Sequence, residues 1–284
     1  MSLFDTLIDS VLEARPALSV LKPVVEKEIL HQDILREMSD AGLLGSLTFI
    51  GGTCLRTFYG SDRLSEDLDF TGGENFTKDT LSGLSDAIVT GLHKKYSLRV
   101  SVSEPVRESG NVDTWKIKII THPGNSHLPA QRIHIDVCSV PSHQRKPSML
   151  INHYPVDMGT SGLILYAETK NEILADKILA VAERPDRVKN RDLWDILWFF
   201  RQGVHLDTNL FLQKLDDRKI NKHIFMQNFR NRIEGLKTGF PDYTYEMRRF
   251  LPGTAVHDHI NQPGYWDVML STLDSMYTSL QKSN

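Results

Sequence analysis

The chain has 284 residues, of which 40% are hydrophobic and 24% charged, a balance that excludes a disordered or fibrous protein. At roughly 150 residues per domain this length fits about two domains. Lysine plus arginine number 33 against 36 aspartates plus glutamates, a net charge of −3, so a nucleic-acid partner has to be held by a local basic patch and not by the field of the whole chain.

Residues 3–42 have helical periodicity. Leu7, Val11 and Leu12 form one apolar stripe that Pro16 interrupts, and Val25, Ile29, Ile34, Leu35 and Met38 form a second that stops at Gly42. A short apolar strand over 47–50 runs into Gly51-Gly52-Thr53. A two-turn helix with Leu55, Phe58 and Tyr59 on one face follows, ending where Gly60 supplies a C-cap. Residues 64–71, LSEDLDFT, alternate as a strand does, and 76–95 form an amphipathic helix through Leu81, Leu84, Ile88 and Leu92. Three strands are expected at 97–103, 113–121 and 132–140, with glycine, asparagine and proline between them, which predicts antiparallel hairpins. A turn-rich stretch over 141–160 marks a boundary, and helices are expected at 169–183, 190–202, 207–215, 220–235 and 263–281. The outline is a mixed α/β (α+β) fold in three parts: N-terminal helices on the core (1–45), an α/β core (46–145) and a mostly helical C-terminal domain (146–284).

Cys54 and Cys138 are too few for a disulfide framework. The longest charge-free stretch, 41–55, is too short and too broken by glycine, serine and threonine to span a bilayer. Asp5 and Asp9 stand where a signal peptide would be basic and then apolar. The expectation is a cytoplasmic protein without a membrane anchor.

The richest segment is 50–70, IGGTCLRTFYGSDRLSEDLDF. In a strand Asp67 and Asp69 share a face while Leu68 and Phe70 point to the core. Two carboxylates so placed repel unless a cation lies between them, and hard divalent ions such as Mg²⁺ choose such oxygens and keep sites open for phosphates. A solvated acidic pair on an edge strand is the alternative. Gly51-Gly52-Thr53 lies between a strand and a helix, where backbone N–H groups and the positive helix end can receive a phosphate. Arg56 and Arg63 flank the segment and would neutralise a triphosphate; either is also readable as an ordinary surface charge, and for Arg56, on a short helix, the two readings are even. In RIHIDVCSV, Ile133, Ile135 and Val137 share one face, with Arg132, His134, Asp136 and Cys138 on the other. Asp136 supplies the third carboxylate that a two-metal phosphoryl site needs, unless that polar face only meets solvent.

A glycine turn opening a helix, a strand with paired aspartates and a third aspartate on a later strand resemble the DNA polymerase β-type nucleotidyltransferase superfamily. More narrowly, GGTxLR followed by RLSEDLDF resembles the AbiEii/AbiGii-type toxin family, to which the MenT-like toxins belong. The family's first motif maps onto Gly51, Gly52, Thr53 and Arg56, and its second onto Arg63, Ser65, Asp67 and Asp69. EILADKILAVAERPDRVKNRDLWDI resembles its lysine-bearing helix, arginine link and Arg-Asp-x-x-Asp helix. That gives Lys177, then Arg184 or Arg187, then Asp192 and Asp195. The resemblance covers about residues 24–202.

The resemblance implies a nucleotidyltransferase-type mixed sheet flanked by helices. It also implies nucleotidyl transfer from an NTP, with two Mg²⁺ ions (or Mn²⁺) on Asp67, Asp69 and Asp136, and with Lys177 and Asp192 completing the site. It further implies a toxin–antitoxin or phage-defence role, a cognate antitoxin and a tRNA 3′ end as acceptor. By itself Lys177, among Ile173, Leu174, Ile178 and Val181, is a snorkelling lysine or a phosphate clamp. Asp192 and Asp195, one helical turn apart, cap their helix or pair with Arg191 or Lys189. The stretch 218–237 holds Arg218, Lys219, Lys222, Arg230, Arg232 and Lys237 against Glu234 alone, interleaved with Phe225 and Phe229. It reads as an RNA surface with stacking aromatics or as a helix packed through its phenylalanines. A small-molecule nucleotidyltransferase, a non-catalytic binding protein of the same fold and an NTP-dependent phosphoryl transferase are the competing readings, separable by product mass.

Overall fold

The computed structural model describes residues 2–106, 110–125 and 127–283, which divide after Glu168 into two compact units.

In the first unit, helix α1 (Leu3–Ala14) starts at a capping box in which Ser2 Oγ accepts the Asp5 N–H and Asp5 accepts the Ser2 N–H. Pro16 ends it, because proline cannot donate to a continuing helix. A 3₁₀ turn (Pro16–Leu21) then leads to α2 (Lys22–Asp40). Strand β1 (Thr48–Ile50), helix α3 (Gly51–Tyr59), which ends at Gly60 as expected, and β2 (Leu68–Thr71) follow. The strand expected over 64–71 is therefore only its second half; residues 64–67 are held by side chains instead. The helix expected over 76–95 is a 3₁₀ turn (Lys78–Leu81) and α4 (Leu84–Tyr96), separated by Gly83 at φ +90°, a conformation that ends a right-handed helix.

Strands β3 (Arg99–Ser103), β4 (Val112–Ile120) and β5 (Gln131–Cys138) are an antiparallel series, as their spacing predicts. Residues 107–109 and 126 of their connections lie outside the described residues. Two strands absent from the hydropathy reading complete the sheet, β6 (Arg145–Met149) and β7 (Ile164–Glu168). β6 is an edge strand reading Arg-Lys-Pro-Ser-Met, and an edge strand needs no apolar face. The sheet order is β3-β4-β5-β2-β1-β7-β6, with β2 parallel to β5, β1 parallel to β7 and the other pairs antiparallel. One face buries Trp115, Ile117, Ile119, Ile133, Ile135, Val137, Leu68 and Phe70. The opposite face of β3, β4 and β5 keeps its polar side chains open to solvent.

The second unit is helical: α5 (Lys170–Glu183), α6 (Asn190–Arg201), α7 (Thr208–Asp217), α8 (Lys222–Leu236), α9 (Phe240–Met247), the short α10 (Gly253–Ala255) running into a π-helical turn (Val256–Ile260), and α11 (Tyr265–Lys282). Side-chain N-caps from Thr169, Asp207 and Asn221 start α5, α7 and α8. No helix among the described residues is long and apolar enough to cross a membrane.

Candidate active site

The glycine turn works because Ile50 is extended (φ −131°, ψ −179°) and Gly51 then adopts φ +75° to open α3. That φ favours glycine, and the space requires it too: a Cβ on Gly51 would lie 2.6 Å from Asp69 Oδ2. A Cβ on Gly52 would lie 2.2 Å from Arg63 Nη2 and 3.4 Å from Ser65 Oγ. The two glycines thus let Asp69, Arg63 and Ser65 close on the turn. The Thr53 hydroxyl is shared between Ser65 Oγ (2.7 Å) and the Asp67 carbonyl, tying the start of α3 to the approach of β2.

Asp69 and Asp136 are register partners on the parallel neighbours β2 and β5, so their side chains leave the same face in adjacent positions. Asp67, two residues earlier, accepts the backbone N–H of His134 at 3.1 Å, and His134 Nδ1 lies 3.4 Å from the same oxygen. Asp136 Oδ1 accepts the Thr114 hydroxyl at 2.7 Å from the neighbouring β4. The three aspartates named from the sequence therefore lie along the β2–β5 junction, with Asp69 against the turn. Their oxygen-only chemistry fits Mg²⁺ or Mn²⁺. Among the described residues no three histidine, cysteine or carboxylate side chains already converge on one point as a metal site.

Arg56 is the turn residue placed elsewhere. It is buried, with Nε 3.2 Å from Glu28 Oε1 and Nη1 donating to the Ser61 carbonyl at 2.8 Å. Burial opposes its charge, but Glu28 and Tyr154 together more than offset this and hold the guanidinium above its ordinary pKa. Arg63 is buried as well and donates to the Leu64 carbonyl at 3.1 Å.

The sequence reading did not single out Glu28, which organises this side of the turn. Its carboxylate takes Arg56, the Ser65 backbone N–H (3.1 Å) and the Tyr154 hydroxyl (2.5 Å). On the same helix, Lys27 pairs with Glu66 at 2.9 Å and His31 Nε2 contacts the Glu66 carbonyl at 3.0 Å. Burial lowers the His31 pKa, which favours the neutral ring. The available signal was an acid inside the apolar stripe of Val25 and Ile29.

In the helical unit, Lys177 Nζ lies 2.7 Å from Asp192 and 2.8 Å from Asp195, and Arg184 reaches Asp192 at 2.7 Å. Arg184 rather than Arg187 is thus the arginine of this cluster; Arg187 is exposed, 3.8 Å from Glu246. Burial works against ionising Asp192, yet the two cations pull its pKa down to about 2. Phe225 and Phe229 are fully buried, ring to ring at 5.6 Å, so they pack the bundle and offer no stacking surface. The charges around them are largely engaged. Arg218 pairs with Asp176, Arg230 with Glu234 and Asp274, Lys237 with Glu234, and Arg232 donates to backbone carbonyls. Of the two sequence readings of 218–237, the packed helix is the observed one.

The chain shares its fold with solved structures. It is similar over 98% of its length to 90% of MenT4, the nucleotidyltransferase toxin Rv2826c from Mycobacterium tuberculosis H37Rv (TM-score 0.59, 14% identity). It is also similar over 91% of its length to 94% of JHP933 from Helicobacter pylori (TM-score 0.50, 14% identity). At that identity the likeness is one of fold. No curated protein sequence matches the chain significantly. The family is given by a sequence model described as "Nucleotidyl transferase AbiEii toxin, Type IV TA system", which matches residues 33–276. The chain belongs to this AbiEii family of nucleotidyltransferase toxins, which act with NTP substrates and are paired with antitoxins.

Proposed function

We propose that this enzyme transfers a nucleotide from an NTP to an RNA 3′ end, with tRNA as acceptor, in the bacterial cytoplasm, as the toxin of a toxin–antitoxin or phage-defence pair. The reading rests above all on the in-register placement of Asp69 and Asp136 beside the Gly51-Gly52 turn.

Asp67, Asp69 and Asp136 would hold two Mg²⁺ ions, or Mn²⁺. When bound, such ions make an acceptor hydroxyl more acidic and neutralise the triphosphate. The amides of the turn and the start of α3 receive phosphate oxygens, with the Ser65 hydroxyl and Arg63 beside them. Arg56 acts on nucleotide binding through Glu28 and the Ser65 backbone. Asp136, steadied on one oxygen by Thr114, accepts the proton of the attacking hydroxyl. The acceptor's hydroxyl oxygen forms a bond to the α-phosphorus while the bond to the bridging oxygen breaks, releasing pyrophosphate. Lys177 is a phosphate-binding cation whose ammonium is aimed by Asp192 and Asp195. The rate comes from placement and charge neutralisation, without a covalent enzyme intermediate.

Incubation with labelled NTPs, Mg²⁺ and total bacterial tRNA tests this. Wild type should add a whole nucleotide mass to RNA, and Asp69→Asn should not. Equal labelling by both proteins overturns the site, and addition of a phosphate alone overturns the reaction class.

A further inference from the structure

The open face of the sheet carries a second charged feature that continues from the aspartates. In the rung of Asp136 stands Thr114; in the next, His134 faces Lys116; in the next, Arg132 faces Lys118; and Arg99, on β3, stands beside Ile120. Alternation along each strand puts all of these on the face opposite the apolar core. Arg99, Lys116, Lys118 and Arg132 are exposed. None of the four has a hydrogen-bonding or ionic side-chain partner among the described residues. Like charges about 5 Å apart across a strand pair and about 7 Å apart along one disfavour each other. Four unpaired cations so arranged therefore suit an anion supplied from outside.

We propose that this face, above all Lys116, Lys118 and Arg132, binds the sugar–phosphate backbone of the acceptor RNA and leads its 3′ end to Asp136. This rests on the RNA-acceptor reading and adds a surface to it. Charge complementarity calls for a polyanion, and continuity with the aspartate junction selects the strand that must deliver its hydroxyl there. The helical basic stretch, whose charges are mostly engaged by acids or carbonyls, offers no comparable run. Lysines on phosphates give affinity without sequence preference, so the face would set how tightly an RNA end binds and not which bases it carries.

The test is the triple variant Lys116→Gln, Lys118→Gln, Arg132→Gln, all at exposed positions, compared with wild type in RNA binding at several salt concentrations and in steady-state transfer. Losing three phosphate contacts should flatten the slope of log affinity against log salt by about 2, at about 0.7 per contact for single strands. It should also raise the acceptor KM roughly tenfold or more while the NTP KM and the melting temperature stay at wild-type values. An unchanged slope and acceptor KM, in a wild type that does label RNA, overturns the surface alone. A variant that loses only the binding of an acidic partner protein overturns the surface in the same way. A wild type that binds NTP but labels no RNA overturns the acceptor reading, and this surface with it.

Discussion

Asp69 and Asp136 stand side by side because β2 and β5 run parallel in register, although the two residues are 67 positions apart in sequence. Their adjacency is a property of strand pairing and does not depend on either side chain's rotamer. Replacing either with asparagine removes a carboxylate that would hold the cations neutralising the NTP's phosphates, so transfer should fall roughly a thousandfold. The double variant should fall little further, because residues acting as one unit are not additive. Thermal melting should be unchanged or raised, since one of two like charges on adjacent strands is removed. Turnover and melting curves on the same preparations check this.

Gly51→Ala should be more damaging than its size suggests. The backbone sits at φ +75°, which costs an alanine roughly 1–2 kcal/mol, and the added Cβ would lie 2.6 Å from Asp69 Oδ2. The expected outcome is a loss of about that much stability in urea denaturation together with loss of transfer. Full activity with unchanged stability would show that the turn does not constrain Asp69.

Glu28→Gln keeps the shape of the side chain but leaves the buried Arg56 guanidinium without its counter-charge. Breaking a buried pair on one side costs about 3–5 kcal/mol, so the urea midpoint should drop sharply. Where the variant remains folded, NTP binding should weaken, since Glu28 also holds the Ser65 backbone. Equilibrium binding of a labelled NTP at low temperature measures the second effect.

Asp192 makes the helical unit sensitive to acid. Its carboxyl lies at about 2 instead of the ordinary 3.8, so the stabilisation is complete above pH 4 and is lost as the pH falls through about 2. At about 1.4 kcal/mol per pH unit this amounts to roughly 2 kcal/mol. Asp192→Asn should lower stability at pH 7 and flatten the decline between pH 4 and pH 2. A wild type and variant with parallel pH profiles would count against the Lys177–Asp192–Arg184 cluster.

Phe225→Ala should destabilise by about 3–5 kcal/mol, the cost of truncating a fully buried aromatic. The salt dependence of RNA binding should stay as in wild type. A selective loss of RNA affinity with normal melting would restore the stacking role that the sequence left open.

Much of this protein is legible in its sequence because the signals are local. Alternation gives β4 and β5, 3.6-residue periodicity gives most helices, and the glycine turn marks where β1 gives way to α3. The order of the motifs around Gly51, Asp67, Asp69 and Asp136 already resembled that of nucleotidyltransferases, and the residue types themselves pointed to phosphate chemistry, which needs glycine for close approach and carboxylates for cations. Pairing across the chain decided the rest. β6 is not legible because an edge strand has no apolar face to display. The burial of Arg56 depends on Glu28 and Tyr154, 28 and 98 residues away in sequence. Whether the cations of Arg218 to Lys237 or those of Lys116 to Arg132 face solvent unpaired depends on which acids fold against them, and a linear sequence carries the number of charges but not their neighbours.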